Sequence, residues 1–437
     1  MMENYIKRIK DAGIVGAGGA GFPTHVKLNA KAELVIINGA ECEPLLRVDQ
    51  QLMEFSSQDV VDGLKIAIAQ TGAKEGVICL KAKYANAIVN LEDIVKDIPN
   101  MRLQIIKDYY PAGDEVQLVY EVTKKVVPLM GIPLDVGVVV INVLTTINIA
   151  RNVPVTERVI TVTGEVDNPT TFIAPVGTPY SELINACGGP KDIENYSIIV
   201  GGPMMGDVED DWDAPVTKLT GGIIILPKLH SLVIKKTRPT ETDLNLTKAI
   251  CCQCSMCTDM CPKNILGLNT EPHKVMRGLA NEDPGALGTI SSVVSCNNCN
   301  LCSLYACPMD LDPGKITTMV KSSLLSKGAK TEKVVPYETD DLRESKKVPT
   351  KRLIARLELP DYDLPAPLDN NIFKTNQVKI LLKQHIGVVA TSLVSIGDRV
   401  SKGTLIASCN DKLGANIHAS INGSVIKITN EYIEVKA

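Results

Sequence analysis

The sequence predicts a multidomain α/β protein: a largely parallel, helix-covered sheet, then a cysteine-rich segment, then a β-rich tail. Short apolar runs alternate with helical patterns through the N-terminal third. Two cysteine runs lie between 251 and 308, and short alternating stretches separated by glycine turns fill 378–437. A length of 437 residues fits about three domains. With 22% charged residues and a net charge of −4, nothing favours nucleic acid as a partner. Aromatic content of 4% argues against a stacking platform for bases. No run reaches the ~20 apolar residues of a membrane span. The first ten residues lack the apolar core of an export signal, so a reducing, cytoplasmic compartment is expected.

Residues 13–28 open the first unit. Gly16, Gly18, Gly19 and Gly21 crowd one loop, where missing β-carbons let backbone N–H groups approach a ligand. Such a loop cradles a phosphate or the edge of a flat ring. It is not a Rossmann fingerprint, because no strand clearly precedes it. The apolar run 34–37 reads as a buried strand, placing Asn38, Glu41 and Glu43 at its carboxyl end, where open α/β sheets hold ligands. Residues 57–69 carry Val60, Val61, Leu64, Ala67 and Ile68 at helical spacing, with Ser57 as the N-cap. Further strands are expected at 76–80, 103–106 and 138–141, the last running into Asn142-Val-Leu-Thr145. Beyond 153, strands are expected at 159–163 and 221–226 and a short helix at 181–186. The stretch 201–206, Gly-Gly-Pro-Met-Met-Gly, reads as a structural turn rather than a ligand loop.

The cysteine segment runs Cys251-x2-Cys254-x2-Cys257-x3-Cys261-Pro262, then Cys296-x2-Cys299-x2-Cys302-x4-Cys307-Pro308. This is the spacing that wraps a [4Fe–4S] cubane, and two runs imply two clusters. Proline ends each run because its ring fixes φ and it offers no N–H. In two-cluster proteins the fourth cysteine crosses to the other cluster. Cys251, Cys254, Cys257 and Cys307 are therefore expected around one, and Cys296, Cys299, Cys302 and Cys261 around the other. A zinc site would leave the third cysteine of each run without a role. A disulfide framework suits short secreted chains. The x4 gap before Cys307 is expected to open the last turn without removing a ligand. Cys252 is read as a bystander. With Cys42, Cys79, Cys187 and Cys409 it makes five reduced thiols of the thirteen cysteines.

Residues 327–376, rich in Lys, Glu, Asp and Pro, read as an exposed connection with a helical turn or two near 352–357. The tail suggests strands at 378–382 and around 417–425, with tight glycine turns.

These motifs carry a resemblance. The glycine loop with Lys27, the pieces Asn38-Gly-Ala-Glu-Cys-Glu-Pro44 and Asn142-Val-Leu-Thr145, and Tyr110-Pro-Ala-Gly-Asp-Glu115 resemble the FMN- and NADH-binding domain of the respiratory complex I flavoprotein subunit. They more closely resemble the C subunit of Rnf-type complexes and the cobalamin (corrinoid) reductases of propanediol utilisation. The complex I pattern has acidic residues where Ala40 and Leu144 stand here. The resemblance implies that Gly16, Gly18, Gly19, Gly21, Lys27, Asn38, Gly113, Asn142 and Thr145 hold FMN. Glu41, Glu43 and Glu115 would line the flavin and nicotinamide pocket. It also implies a Rossmann-like FMN domain (1–152), a β-grasp SLBB domain (153–234), a helical two-cluster ferredoxin domain (235–326), a linker (327–376) and a C-terminal barrel-sandwich domain (377–437). Lys412 stands near the modified lysine of biotinyl domains, but Asp411 and Leu413 are not the methionines of that motif.

The implied activity is NADH oxidation, with electrons passing through FMN and two [4Fe–4S] clusters to cobalamin. A flavin suits the task, since NADH yields two electrons together and a cluster accepts one. Implied partners are NADH, cobalamin or a corrinoid adenosyltransferase, and the shell proteins of a bacterial microcompartment. Two alternatives stay open: an Rnf-like subunit donating to ferredoxin or membrane partners, and a non-catalytic docking protein.

Overall fold

The computed structural model describes residues 5–410 and 412–437. Asp411 lies outside them; Lys412 is exposed. The first unit is built on four parallel strands, Leu34–Gly39, Glu75–Lys81, Met101–Ile106 and Val138–Asn142. Across the sheet they run third, second, first, fourth. Alternation within each strand sorts side chains to two cores. Val35, Ile37, Ile78, Leu80, Val139 and Ile141 meet the helices Ser57–Thr71 and Val143–Arg151. Leu34, Ile36, Val77, Val138 and Val140 meet the helix Glu115–Thr123 on the other face. Both faces are covered, which is why these strands read as unbroken apolar runs.

The chain leaves the first strand in one direction, builds two neighbours, then returns to add the fourth on the other side. This creates a switch point where Asn38 and Asn142 are paired in register. Crevices at such points are where open α/β sheets take ligands.

Ser57 is not the N-cap. Ser56 occupies that position, and the Ser57 hydroxyl instead donates to the Met53 carbonyl at 2.6 Å. The helix Val48–Phe55 runs almost directly into Ser57–Thr71, and its C-terminal carbonyls compete for the hydroxyl.

A six-stranded sheet follows, in the order Leu368–Ile372, Thr170–Pro175, Glu157–Gly164, Gly222–Pro227, Tyr196–Val200, Asp207–Glu209. The helix Tyr180–Ala186 packs Leu183 and Ile184 against its Ile160, Val162, Ile198 and Ile223. The cysteine segment is helical, from Thr240–Ile250 to Pro313–Ser326, with Pro272–Ala280 and Ile290–Val294 in the spacer between the runs. The tail folds as two small sheets, of four and three strands, around Val378, Ile380, Ile406, Val425 and Ile433.

The exposed connection expected over 327–376 is corrected. Val348–Pro349 pairs with Tyr109–Tyr110 of the first unit, and Leu368–Ile372 extends the six-stranded sheet. Leu353, Ile354, Leu357 and Leu359 are buried in a core shared with Tyr110 and Cys299. The polar composition conceals this because the apolar residues recur at helical spacing only over Thr350–Arg356.

Candidate functional site

At the switch point the glycine loop lies against the start of the helix Val143–Arg151. The Asn142 carboxamide caps that helix, accepting from Leu144 N at 3.0 Å, and donates to Asp49 at 2.8 Å. Thr145 fixes the loop, its hydroxyl accepting from Ala17 N at 2.8 Å. A β-carbon on Gly18 would come within 2.8 Å of the Asn142 amide, whereas one on Gly19 would meet nothing. The loop is thus pressed onto the sheet at one glycine and open at the next, which fits a backbone cradle for a flat, phosphorylated group. Asn38 donates to the Gly113 carbonyl at 2.8 Å, drawing the 110–115 turn over the first strand's end. Lys27 bonds the Val140 carbonyl at 2.9 Å and pairs with Glu115 at 3.2 Å, a partly exposed pair. Gly16 closes the loop onto Phe22. Gly21 stands apart: it is buried, with φ +74°, and its carbonyl accepts from Ile386 of the tail. Nearby, buried Lys218 donates to the carbonyls of Gly13 (2.7 Å) and Asn416 (2.8 Å). Desolvation pushes its ammonium down to about 7.

Glu41 and Glu43 follow the first strand at the same carboxyl end. Burial, reinforced by Glu41, pushes the Glu43 carboxyl up to about 7. Both Glu43 oxygens are held, by Met204 N at 2.8 Å and Met205 N at 3.1 Å. The turn 201–206 therefore has a structural job at the site. Gly202 is required there, since a β-carbon would lie 2.0 Å from the Glu43 carboxylate. Asp49 joins this group unforeseen. Burial and Glu41 push it up to about 8, opposed by Arg158, whose own value burial lowers to about 10. Arg158 Nη1 is buried without a hydrogen-bond partner among the described residues. The available signal was a cation in the strand Glu157–Gly164, which is buried throughout beyond Glu157.

The cysteines gather in two sets, each drawing on both runs. Cys251, Cys254, Cys257 and Cys307 line one cavity, from which Cys261 is absent. Cys261 instead lies within electrostatic reach of Cys296, Cys299 and Cys302. In each run the residues flanking the middle cysteine are left-handed: Gln253 and Ser255 (φ +55° and +62°), Asn298 and Asn300 (φ +58° and +57°). The repeated pattern turns successive backbone N–H groups toward the enclosed volume, as anion-binding nests do. The x4 gap is taken up by a π turn over Cys302–Ala306, closed by Cys307 N to Cys302 O at 3.1 Å. Among the described residues no three ligating side chains converge tightly enough for a single metal ion. Four thiols around one cavity, as Cys251, Cys254, Cys257 and Cys307 stand, are the donor set of a cubane.

The second set abuts the flavin unit. Tyr110, 1% exposed, donates to the Cys299 carbonyl at 2.7 Å. Gln117 donates to the Pro262 carbonyl at 2.8 Å, and Asn297 bonds Asp114. Asn300 donates to the Met204 carbonyl at 2.9 Å, so one methionine ties Glu43 to this cysteine loop.

Four family models match: the Nuo51 FMN-binding domain over 9–151, the SLBB domain over 159–208, a 4Fe-4S dicluster domain over 250–312 and the RnfC barrel sandwich hybrid domain over 367–437. The cobalamin reductase PduS of Citrobacter freundii is 40% identical over 98% of this chain and 95% of its own. That of Salmonella typhimurium is 41% identical over the same shares, 98% and 95%. The chain belongs to the PduS cobalamin reductase family. Its cofactors are FMN and [4Fe–4S] clusters. The PduS-family chain is also 39% identical to the C subunit of the Na(+)-translocating ferredoxin:NAD(+) oxidoreductase complex of Acetobacterium woodii, over 60% of this chain and 58% of that one. Among solved structures, an NAD+-reducing [NiFe]-hydrogenase in the H2-reduced state shares the fold: TM-score 0.50, 19% identity, 80% of this chain and 63% of that one. Among the described residues no helix of this PduS-family protein is long and apolar enough to cross a membrane.

Proposed function

We propose that this protein oxidises NADH and reduces cobalamin. The supporting observation is that Tyr110 and Met204, whose N–H holds Glu43, share one packed core with Cys299 of the inner cysteine set. The overall reaction balances when one NADH becomes NAD+ and a proton while two cob(III)alamins each take one electron to become cob(II)alamin. FMN supplies the conversion from electron pairs to single electrons, and the clusters carry those electrons one at a time.

The residues divide the work. Gly16, Gly18, Gly19, Asn38, Asn142 and Thr145 shape the FMN cradle, with Lys27 beside it. Gly21 anchors the loop, and Gly113 lets the 110–115 turn close in. Glu41, Glu43 and Glu115 line the nicotinamide side, where Glu43 can hold a proton near neutral pH. Cys251, Cys254, Cys257 and Cys307 bind one cluster; Cys296, Cys299, Cys302 and Cys261 bind the other. The protein works in the cytoplasm within a bacterial microcompartment, beside shell proteins and a corrinoid adenosyltransferase. An anaerobic NADH titration followed by hydroxocobalamin tests the reading. Flavin bleaching, cluster reduction and then cob(II)alamin absorption are expected. Reduced cofactors beside an unchanged corrinoid would overturn cobalamin as the acceptor.

A further inference from the structure

The two cysteine sets differ in what surrounds them. The Cys296, Cys299, Cys302 and Cys261 set is walled by protein. Cys299, Cys302 and Cys261 are each no more than 9% exposed. Tyr110, Asp114 and Gln117 of the flavin unit bond to its loops or to Pro262, beside Cys261. The Cys251, Cys254, Cys257 and Cys307 set opens outward at Cys254, while its Cys257 (9%) and Cys307 (8%) are as buried as the inner thiols. Cys252, Gln253 and Cys254 are exposed. Met309 (39%) lines the same opening, with Met256 (42%) and Ile250 (39%) alongside. Among the described residues no Asp, Glu, Lys or Arg lines this opening.

The geometry points to a fixed polarity: the Cys299-side set is the inward one, facing the flavin pocket, and the Cys254-side set is the exit, whose rim of Gln253, Cys254 and Met309 meets the acceptor. Steep distance dependence makes electron transfer favour the set that touches the donor domain. The acceptor that suits the rim is a corrinoid, a broad macrocycle fringed by neutral amides rather than ionised groups. Redox proteins that dock through charge complementarity use charged groups around the opening; its described lining has none, and the neighbouring Asp310 is paired with Lys235. The identity of this acceptor rests on the proposed reduction of cobalamin; the order of the two sets does not.

Two single-ligand variants test the order, read by electron paramagnetic resonance of whichever cluster remains. In Cys254→Ser, NADH is expected to reduce the remaining inner cluster as fully as in the unmodified protein. In Cys299→Ser, the remaining outer cluster is expected to stay oxidised with NADH, yet be reduced by dithionite, which shows that it is intact. The reverse pattern, or NADH reduction of the remaining cluster in both variants, would overturn the polarity. Met309→Arg tests the rim: both clusters should be reduced by NADH as before, while hydroxocobalamin reduction slows severalfold. An unchanged corrinoid rate would remove the rim from the path. If the unmodified protein reduces its clusters but no corrinoid, the acceptor assignment falls, and the order is judged from the resonance spectra alone.

Discussion

The two cysteine cradles are near copies in backbone and opposites in setting. Each places left-handed residues on both sides of its middle cysteine, Gln253 and Ser255 in one, Asn298 and Asn300 in the other. Each borrows its fourth thiol from the other run. Yet Asn300 and Asn297 bond to neighbouring domains, whereas Gln253 faces solvent. Local backbone conformation thus decides what a cradle can hold, and tertiary contacts decide what it can talk to.

The largest effect expected from breaking this comparison comes from the crossed thiols. Cys261→Ser should remove the inner cluster although it belongs to the first run, and Cys307→Ser the outer one. Iron content should fall by half in each, and the lost resonance signal should be the opposite of what run membership suggests. Next, a chelator should strip the two clusters at different rates. The outer signal should decay first, because it alone of the two sets includes an exposed thiol, Cys254; equal decay would erase the distinction in setting. Smaller again is the effect of Tyr110→Phe. It deletes the hydrogen bond to the Cys299 carbonyl and should cost about 1 kcal/mol in unfolding free energy. Gln253→Ala at the outer cradle should cost almost nothing. A separate effect, on pH dependence, lies on the inner side. Glu43 keeps its proton to about 7 when folded, against 4.5 for a free glutamate. Its folded value is raised, so its contribution is fully present below about 4.5 and is lost as pH rises toward about 7. Thermal midpoints should decline across that window, and Glu43→Gln should flatten the decline.

The cradles were legible in the sequence because ligand spacing is a local property: x2 gaps around a cubane need no knowledge of the fold. The parallel sheet was legible for a related reason, since strands buried on both faces print as unbroken runs such as Val138 to Ile141. Asp49 and Arg158 were not legible, because their mutual electrostatic influence acts across two domains and neither lies in a recognisable motif. Met204 was hidden more thoroughly. Its part is played by backbone N–H and C=O groups, which every residue except proline has, so side-chain identity carries no trace of it. Val348 and Leu353 were masked by the charged residues around them.

The brace between Lys218, Gly13 and Asn416, with Gly21 held by Ile386, has a consequence for the life of the chain. Domains emerging from a ribosome fold in order, N-terminal first. Here the loop over 13–21 is completed by Ile386 and Asn416, which are translated long after it. The flavin cradle can reach its final form only after Ile386 and Asn416 have been translated, which ties its maturation to residues made long after its own.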